Sequence, residues 1–231
     1  MATITIARRF NGPPASGNGG YTAGLIATSI GESLTVRLHQ PIPLERELTI
    51  GERIEERWEI RAGDELIASA RAAAVTTDVP DAPPYAAALA ASRHYVGFKE
   101  HSLPTCFVCG PERKRHDGLC IFPGAIAGTQ VLAAPWIPDE TLDNGAGKAR
   151  PEYLWAALDC PGYFATAYPG LALLGELNVH IDRLVHIDEP CVVIAWPIGQ
   201  DGRKHRAGTA LFDEDGERCA VGVATWVELK T

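Results

Sequence analysis

The sequence lacks any apolar run near the roughly 18 residues that a membrane-crossing helix needs. Its opening, Met1-Ala2-Thr3-Ile4-Thr5-Ile6-Ala7-Arg8-Arg9, has no apolar core of signal-peptide length. A basic surplus is missing too: 21 Lys and Arg stand against 29 Asp and Glu, a net charge of −8. Nucleic-acid phosphates call for a basic surface, so neither a membrane nor nucleic acid is the expected partner. No GxSxG nucleophile elbow, GxxxxGK[ST] loop or Rossmann glycine pattern occurs. The six cysteines, Cys106, Cys109, Cys120, Cys160, Cys191 and Cys219, include only one CxxC pair. A chain of 231 residues can bury an adequate core without disulfides. With no export signal, the expectation is a cytoplasmic protein whose thiols are reduced.

What the sequence does contain is a pattern read twice. Leu34-Thr35-Val36-Arg37-Leu38-His39 alternates apolar and polar, and Leu177-Asn178-Val179-His180-Ile181-Asp182 does so in the same phase. A period of two marks half-buried strands. His39 and His180 fall on the polar side of that alternation and read as sheet-face residues. Further on, Trp58 to Ala68 and Ala210 to Ala220 each read as strand, turn and strand. Their turn pairs are Gly63-Asp64 and Asp215-Gly216, residues that tolerate positive φ. Each half also has a helical segment before its first matched strand. One runs from about Gly20 to Ile30. The other starts at Pro151, a favoured first helical position, and is expected to kink or end at Pro161-Gly162. Ile4 and Ile6, alternating with Thr3 and Thr5, predict a strand ahead of the first helix.

These segments predict an α+β fold of two tandem modules, residues 1–77 and 106–231. The stretch 78–105, with Pro80, Pro83, Pro84 and an Ala-rich patch, is read as the linker.

Together the modules resemble the hotdog fold, in which an antiparallel sheet wraps a central helix. Asn18-Gly19-Gly20-Tyr21-Thr22-Ala23-Gly24-Leu25 looks like the start of that family's helix, and Ala157-Leu158-Asp159 looks like its Leu-Asp pair. More closely, the chain resembles the thioesterase-like superfamily of double-hotdog proteins. Pro104-Thr105-Cys106-Phe107-Val108-Cys109-Gly110-Pro111 and Trp155-Ala156-Ala157-Leu158-Asp159-Cys160-Pro161-Gly162 have close counterparts there. The resemblance implies an acyl-CoA thioesterase-like hydrolase acting on acyl-CoA or another acyl thioester, without a cofactor. It also implies sites where a helix start of one module meets a helix side chain of the other. Single-module relatives pair into dimers; a duplicated chain would build that pair internally, and a homodimer of such chains is a further expectation.

Thioester hydrolysis needs donors for the carbonyl oxygen and a group that attacks the carbon or activates water. Gly19 and Gly20, without β-carbons, let a carbonyl approach the free N–H groups of a helix start. Asp159 is the expected base or nucleophile, and Asn18 the expected orienting residue. Read structurally instead, Asn18 caps a glycine-rich turn and Asp159 caps a helix end. Each module keeps half of a site: near Ala27 the first lacks an acid, and at Arg150-Pro151-Glu152 the second lacks the glycine pair. Arg113-Lys114-Arg115 is the expected contact for coenzyme A phosphates. Cys106 and Cys109, with His116 and Cys120 downstream, have a zinc-knuckle look. Their spacing is not a standard zinc pattern, so two thiols without a metal is the reading taken. A non-catalytic acyl-thioester binder is the alternative. A hotdog dehydratase is disfavoured, since no Asp-to-His helix motif is found.

Overall fold

The structure, a computed structural model, describes residues 2–229. The outermost residues of the two module boundaries, Met1, Lys230 and Thr231, lie outside the described residues. In chain order the elements are β1 (Ala2–Thr5), α1 (Gly19–Ile30), β2 (Leu34–Leu38), β3 (Glu47–Ile50), β4 (Arg57–Ala62) and β5 (Glu65–Ala72). Then follow α2 (Tyr85–Ser92), β6 (Gly124–Ala125), β7 (Leu132–Trp136), α3 (Pro151–Ala157) and α4 (Cys160–Ala165). The chain closes with β8 (Ala172–Ile181), β9 (Cys191–Asp201), β10 (Lys204–Phe212) and β11 (Arg218–Glu228). None of the described helices is long and apolar enough to cross a membrane.

All eleven strands form one antiparallel sheet in the order β1-β3-β4-β5-β2-β8-β11-β10-β9-β7-β6. Read outward from the β2–β8 seam, both sides run through their strands in the same sequence of roles. At the seam Leu34 lies opposite Val179 and Val36 opposite Leu177, with Thr35 opposite Asn178 between them. If Leu34 corresponds to Leu177 and Val36 to Val179, a two-fold axis through Thr35 and Asn178 carries each pair onto the other. Leu34, Val36, Leu177 and Val179 are buried, as the period of two requires. Asn178 Nδ2 fastens the seam by donating to the Leu34 carbonyl at 2.8 Å.

The hairpins differ in detail. Ala62 pairs with Glu65 across Gly63-Asp64, with Gly63 at φ 60°. In the second, a bulge between Leu211 and Phe212 leads into a longer turn, where Asp213 Oδ1 accepts from the N–H groups of Asp215 and Glu217.

Helices α1 and α3 cross antiparallel. Gly24 packs so closely that an added Cβ would stand 2.6 Å from the Glu152 Cα, and one on Gly20 would stand 2.5 Å from the Asp159 Cβ. α1 opens on the Asn18 cap and ends where Gly31 turns left-handed at φ 82°. The second helical segment does not end at Pro161-Gly162. It breaks earlier, at Leu158 and Asp159, and Pro161 lies in the first turn of α4. In a continuous helix the Pro161 ring would strike the Ala157 carbonyl; in a first turn its missing N–H costs nothing. At that break the Asp159 side chain turns towards α1.

Within 78–105 the Ala-rich patch forms α2, whose Ala88 is buried with Ala133, Val192 and Ile194 of β7 and β9. The following loop is fastened to the first half: the Phe107 N–H donates to the Asn11 carbonyl at 2.8 Å.

Candidate active site

Four backbone N–H groups at the start of a helix have no partner within it. At α1 three of them are met. Asn18 N–H donates to the Phe10 carbonyl at 2.7 Å, and Tyr21 N–H to Asn18 Oδ1 at 2.8 Å. Gly20 N–H donates to Asp159 Oδ2 at 2.9 Å, and Asn18 Nδ2 reaches the same oxygen at 2.9 Å. The Gly19 N–H has no acceptor among the described residues. Asn18, Gly19, Gly20 and Asp159, 139 to 141 positions apart across the pairs, are thus one cluster.

The cluster lies in the wall of a cavity of about 810 Å³, which Asn18, Gly19 and Asp159 line together with Tyr163, Phe164 and Trp226. Two buried polar atoms of lining residues, Asp159 Oδ1 and Trp226 Nε1, have no hydrogen-bond partner among the described residues. Burial pushes the Asp159 carboxyl up to about 7, against the lowering effect of the bonds from Gly20 and Asn18. Trp226 carries no sequence signal; its place by the cavity follows from strand pairing.

No model of a known protein family matches the sequence, and no curated protein matches it either. Solved structures do. A tesB protein of Mycobacterium avium subspecies paratuberculosis superposes with a TM-score of 0.58 at 11% identity, covering 93% of this chain and 88% of that one. The fold is the hotdog fold. A further thioesterase superfamily protein matches with a TM-score of 0.47 at 18% identity, over 52% of this chain and 59% of the other. A hypothetical thioesterase of Streptococcus pneumoniae, solved with coenzyme A, matches with a TM-score of 0.41 at 12% identity, over 44% and 82%.

In this hotdog chain the other helix start is built differently. Arg150 gives α3 no side-chain cap, and Glu152 is buried and paired with Arg150 at 3.2 Å. Tyr153, in the first turn, lies among Tyr21, Phe10 and Phe107, with ring centroids 5.7, 6.2 and 6.3 Å away.

The basic run departs from its expected place. Arg113, Lys114 and Arg115 are absent from the residues lining this cavity. The Arg113 guanidinium is occupied inside the protein, donating to the carbonyls of Thr105 and Arg9, to Asn11 Oδ1 and to Asp117. Arg115 pairs with exposed Asp188 at 3.7 Å. Among the described residues, the lysine that does line the cavity is Lys99, with His94 and His101.

The cysteine pair also has other neighbours than expected. His116 lies beside Asp139 and Glu140, while Cys120 lies by the Arg113 carbonyl. Cys106 and Cys109 instead meet Cys160 of α4; Cys106 and Cys160 sulfurs are 3.5 Å apart, and all six cysteines are free thiols. Bonds from the thiols of Cys109 and then Cys160 hold Cys106 well below the usual thiol range.

Proposed function

We propose that the chain consists of two fused hotdog modules, residues 1–77 and 106–231, and hydrolyses acyl-CoA or a similar acyl thioester at one composite site between them. The mirrored strand order and the symmetric seam register support the duplication. One observation carries the activity: Asp159 of the second half, with one free carboxylate oxygen, meets the glycine helix start of the first half in the wall of a cavity with aromatic lining.

Of the two glycines, Gly19 is the donor available to substrate, because Gly20 N–H already holds Asp159. The thioester carbonyl oxygen would accept from Gly19 N–H at the positive end of α1. Water held by Asp159 Oδ1 attacks the carbon and gives its proton to the carboxylate. The tetrahedral intermediate collapses as the C–S bond breaks. The proton passes to the departing sulfur, leaving a carboxylic acid and a free thiol. Asn18 and Gly20 keep the carboxylate aimed, so they are positioning residues. Lys99 at the cavity is the proposed contact for coenzyme A phosphates.

Asp159→Asn tests the reading. It keeps an oxygen for Gly20 N–H but removes the base. Turnover of acyl-CoA substrates should fall about a hundredfold or more, close to 3 kcal/mol of transition-state stabilisation, with substrate affinity nearly unchanged. Normal turnover in this variant would leave Asp159 as a cap on α1 and overturn its catalytic role. If the unaltered protein binds acyl-CoA across a panel of chain lengths and hydrolyses none, the non-catalytic binder is the correct reading.

A further inference from the structure

Three buried sulfurs in the cavity wall are not used by this hydrolytic scheme. Cys106 and Cys109 come from the loop that follows α2, and Cys160 opens α4. Their Sγ atoms all lie within 4.8 Å of one another, and Cys106 and Cys160 are 3.5 Å apart. Zinc–sulfur bonds of about 2.3 Å in a tetrahedron put sulfurs roughly 3.8 Å apart, so the cluster needs little adjustment to close on one ion. The loop has the form such a site uses. It turns so tightly at Gly110 that an added Cβ would stand 2.5 Å from the Cys106 nitrogen. Asn18 Nδ2 is 4.0 Å from the Cys106 sulfur. Thiolate is the form of cysteine that binds metal.

We propose that Cys106, Cys109 and Cys160 are three thiolate ligands of a zinc ion whose fourth position is open towards the cavity. Soft sulfur donors select ions of this class over magnesium or calcium. His101 is the nearest candidate for a fourth ligand, with Nε2 3.4 Å from Cys109 Sγ. Its other nitrogen, Nδ1, accepts the Leu103 N–H at 2.9 Å, so the proton of the neutral ring sits on Nε2. His101 therefore donates to the Cys109 sulfur and is not a ligand. Among the described residues no fourth His, Cys, Asp or Glu lies within the same distance of all three sulfurs, which leaves the last position to water or to a ligand entering the cavity. Uptake replaces three S–H bonds with three Zn–S bonds and releases three protons when all thiols start protonated. The inference goes beyond the hydrolase reading and stands without it.

The test uses the full chain, purified under a non-chelating reductant, loaded with Zn²⁺ and freed of excess. About one zinc per chain is expected, released when a mercurial blocks the thiols. Cobalt in place of zinc should give the intense visible bands of a tetrahedral site and a thiolate-to-cobalt band in the near ultraviolet. Those bands should shift when a small thiol is added, if the fourth position is open. Cys160→Ser should lose stoichiometric metal, while Cys120→Ser and His101→Ala keep it. Should Cys160→Ser fail to fold, the cobalt spectrum of the unaltered chain decides. Asp159→Asn should keep its zinc, which separates failure of this inference from failure of the hydrolase. Absence of stoichiometric metal after loading, metal retained by folded Cys160→Ser, or a Cys106–Cys160 disulfide that re-forms in place of metal uptake would each overturn the site. Loss of metal in folded His101→Ala, or cobalt bands indifferent to thiol, would overturn the open position.

Discussion

At the start of α1 two glycines face a carboxylate beside a cavity; at the start of α3, Pro151 and Glu152 lead into a bed of aromatic rings. The two starts sit at opposite ends of the same helix crossing. At one, Asn18, Gly20 and Asp159 leave the Gly19 N–H and one buried carboxylate oxygen without a partner in the cavity wall. At the other, Arg150 covers the Tyr153 ring at 5.0 Å and Glu152 is spent on Arg150. A helix start can bind an acceptor only if nothing else occupies its donors. When one chain holds two such starts, one can keep its donors available while the other carries packing.

The strongest way to break this comparison is to force the crossing apart. Gly20→Val and Gly24→Val each push a branched side chain onto the facing segment, against Trp155 and Asp159 or against the Glu152 backbone. Each should cost about 3 kcal/mol or more, because the contact includes backbone that cannot rotate away. Thermal unfolding should register the loss at both positions. A Gly24→Val protein as stable as the parent would mean that the helices separate easily.

The aromatic end gives the next test. Tyr153→Leu keeps bulk but removes the ring contacts with Tyr21 and Phe107, and should cost about 2 kcal/mol of stability. Turnover of the folded fraction should be within about twofold of the parent, since this end takes no part in the chemistry. A hundredfold loss of turnover with little loss of stability would make α3 the working start.

Much of this was readable in the residues. The alternation at Leu34 and Leu177 specified which faces turn inward, and the polar-glycine-glycine stretch specified a helix start capped by Asn18. Asp159 stood out as a carboxylate in an apolar segment. Other features depend on three-dimensional closure. Cys106 and Cys160 are 54 residues apart, and nothing local in either segment announces the other. The basic run of Arg113 to Arg115 read as a phosphate contact from charge alone. The structure uses the Arg113 guanidinium as a many-donor clamp on Arg9, Asn11 and Thr105. The break before Pro161 follows from a clash four residues back, a consequence that the position of the proline alone does not display.

Smaller effects sharpen the account of the working end. Asn18→Ala removes both the cap on Tyr21 and one of the two donors to Asp159. It should cost about 1 kcal/mol of stability. It should also lower kcat about tenfold with KM little changed, the mark of a residue that aims another. A change confined to stability would reduce Asn18 to a helix cap. Trp226→Phe keeps an aromatic wall and deletes the unpartnered indole N–H. Loss of one neutral hydrogen bond to substrate should raise KM about fivefold, and an unchanged KM would show that the indole nitrogen does not meet the ligand.

The smallest expected effect concerns the basic loop, and it decides whether charge near the working end matters by position or only by sign. Lys114 and Arg115 are exposed, and Arg115 meets Asp188 only at the surface. Surface pairs of this kind contribute about 0–1 kcal/mol, so the double variant Lys114→Gln, Arg115→Gln should unfold at nearly the parent temperature. Neither residue lines the cavity, so KM for acyl-CoA should change less than about twofold at physiological ionic strength, where charges beyond about 8 Å are screened. Lys99→Gln, at the cavity itself, should raise KM several-fold under the same conditions, as expected for one lost charged contact. Measuring both in low and high salt separates the two cases. A loop that merely attracts an anionic substrate from a distance would show a KM effect only at low salt. If the Lys114 and Arg115 variant raises KM more than Lys99→Gln does at high salt, the phosphate contact belongs to the loop, and the route from the cavity to coenzyme A must run past Arg9 rather than past α2.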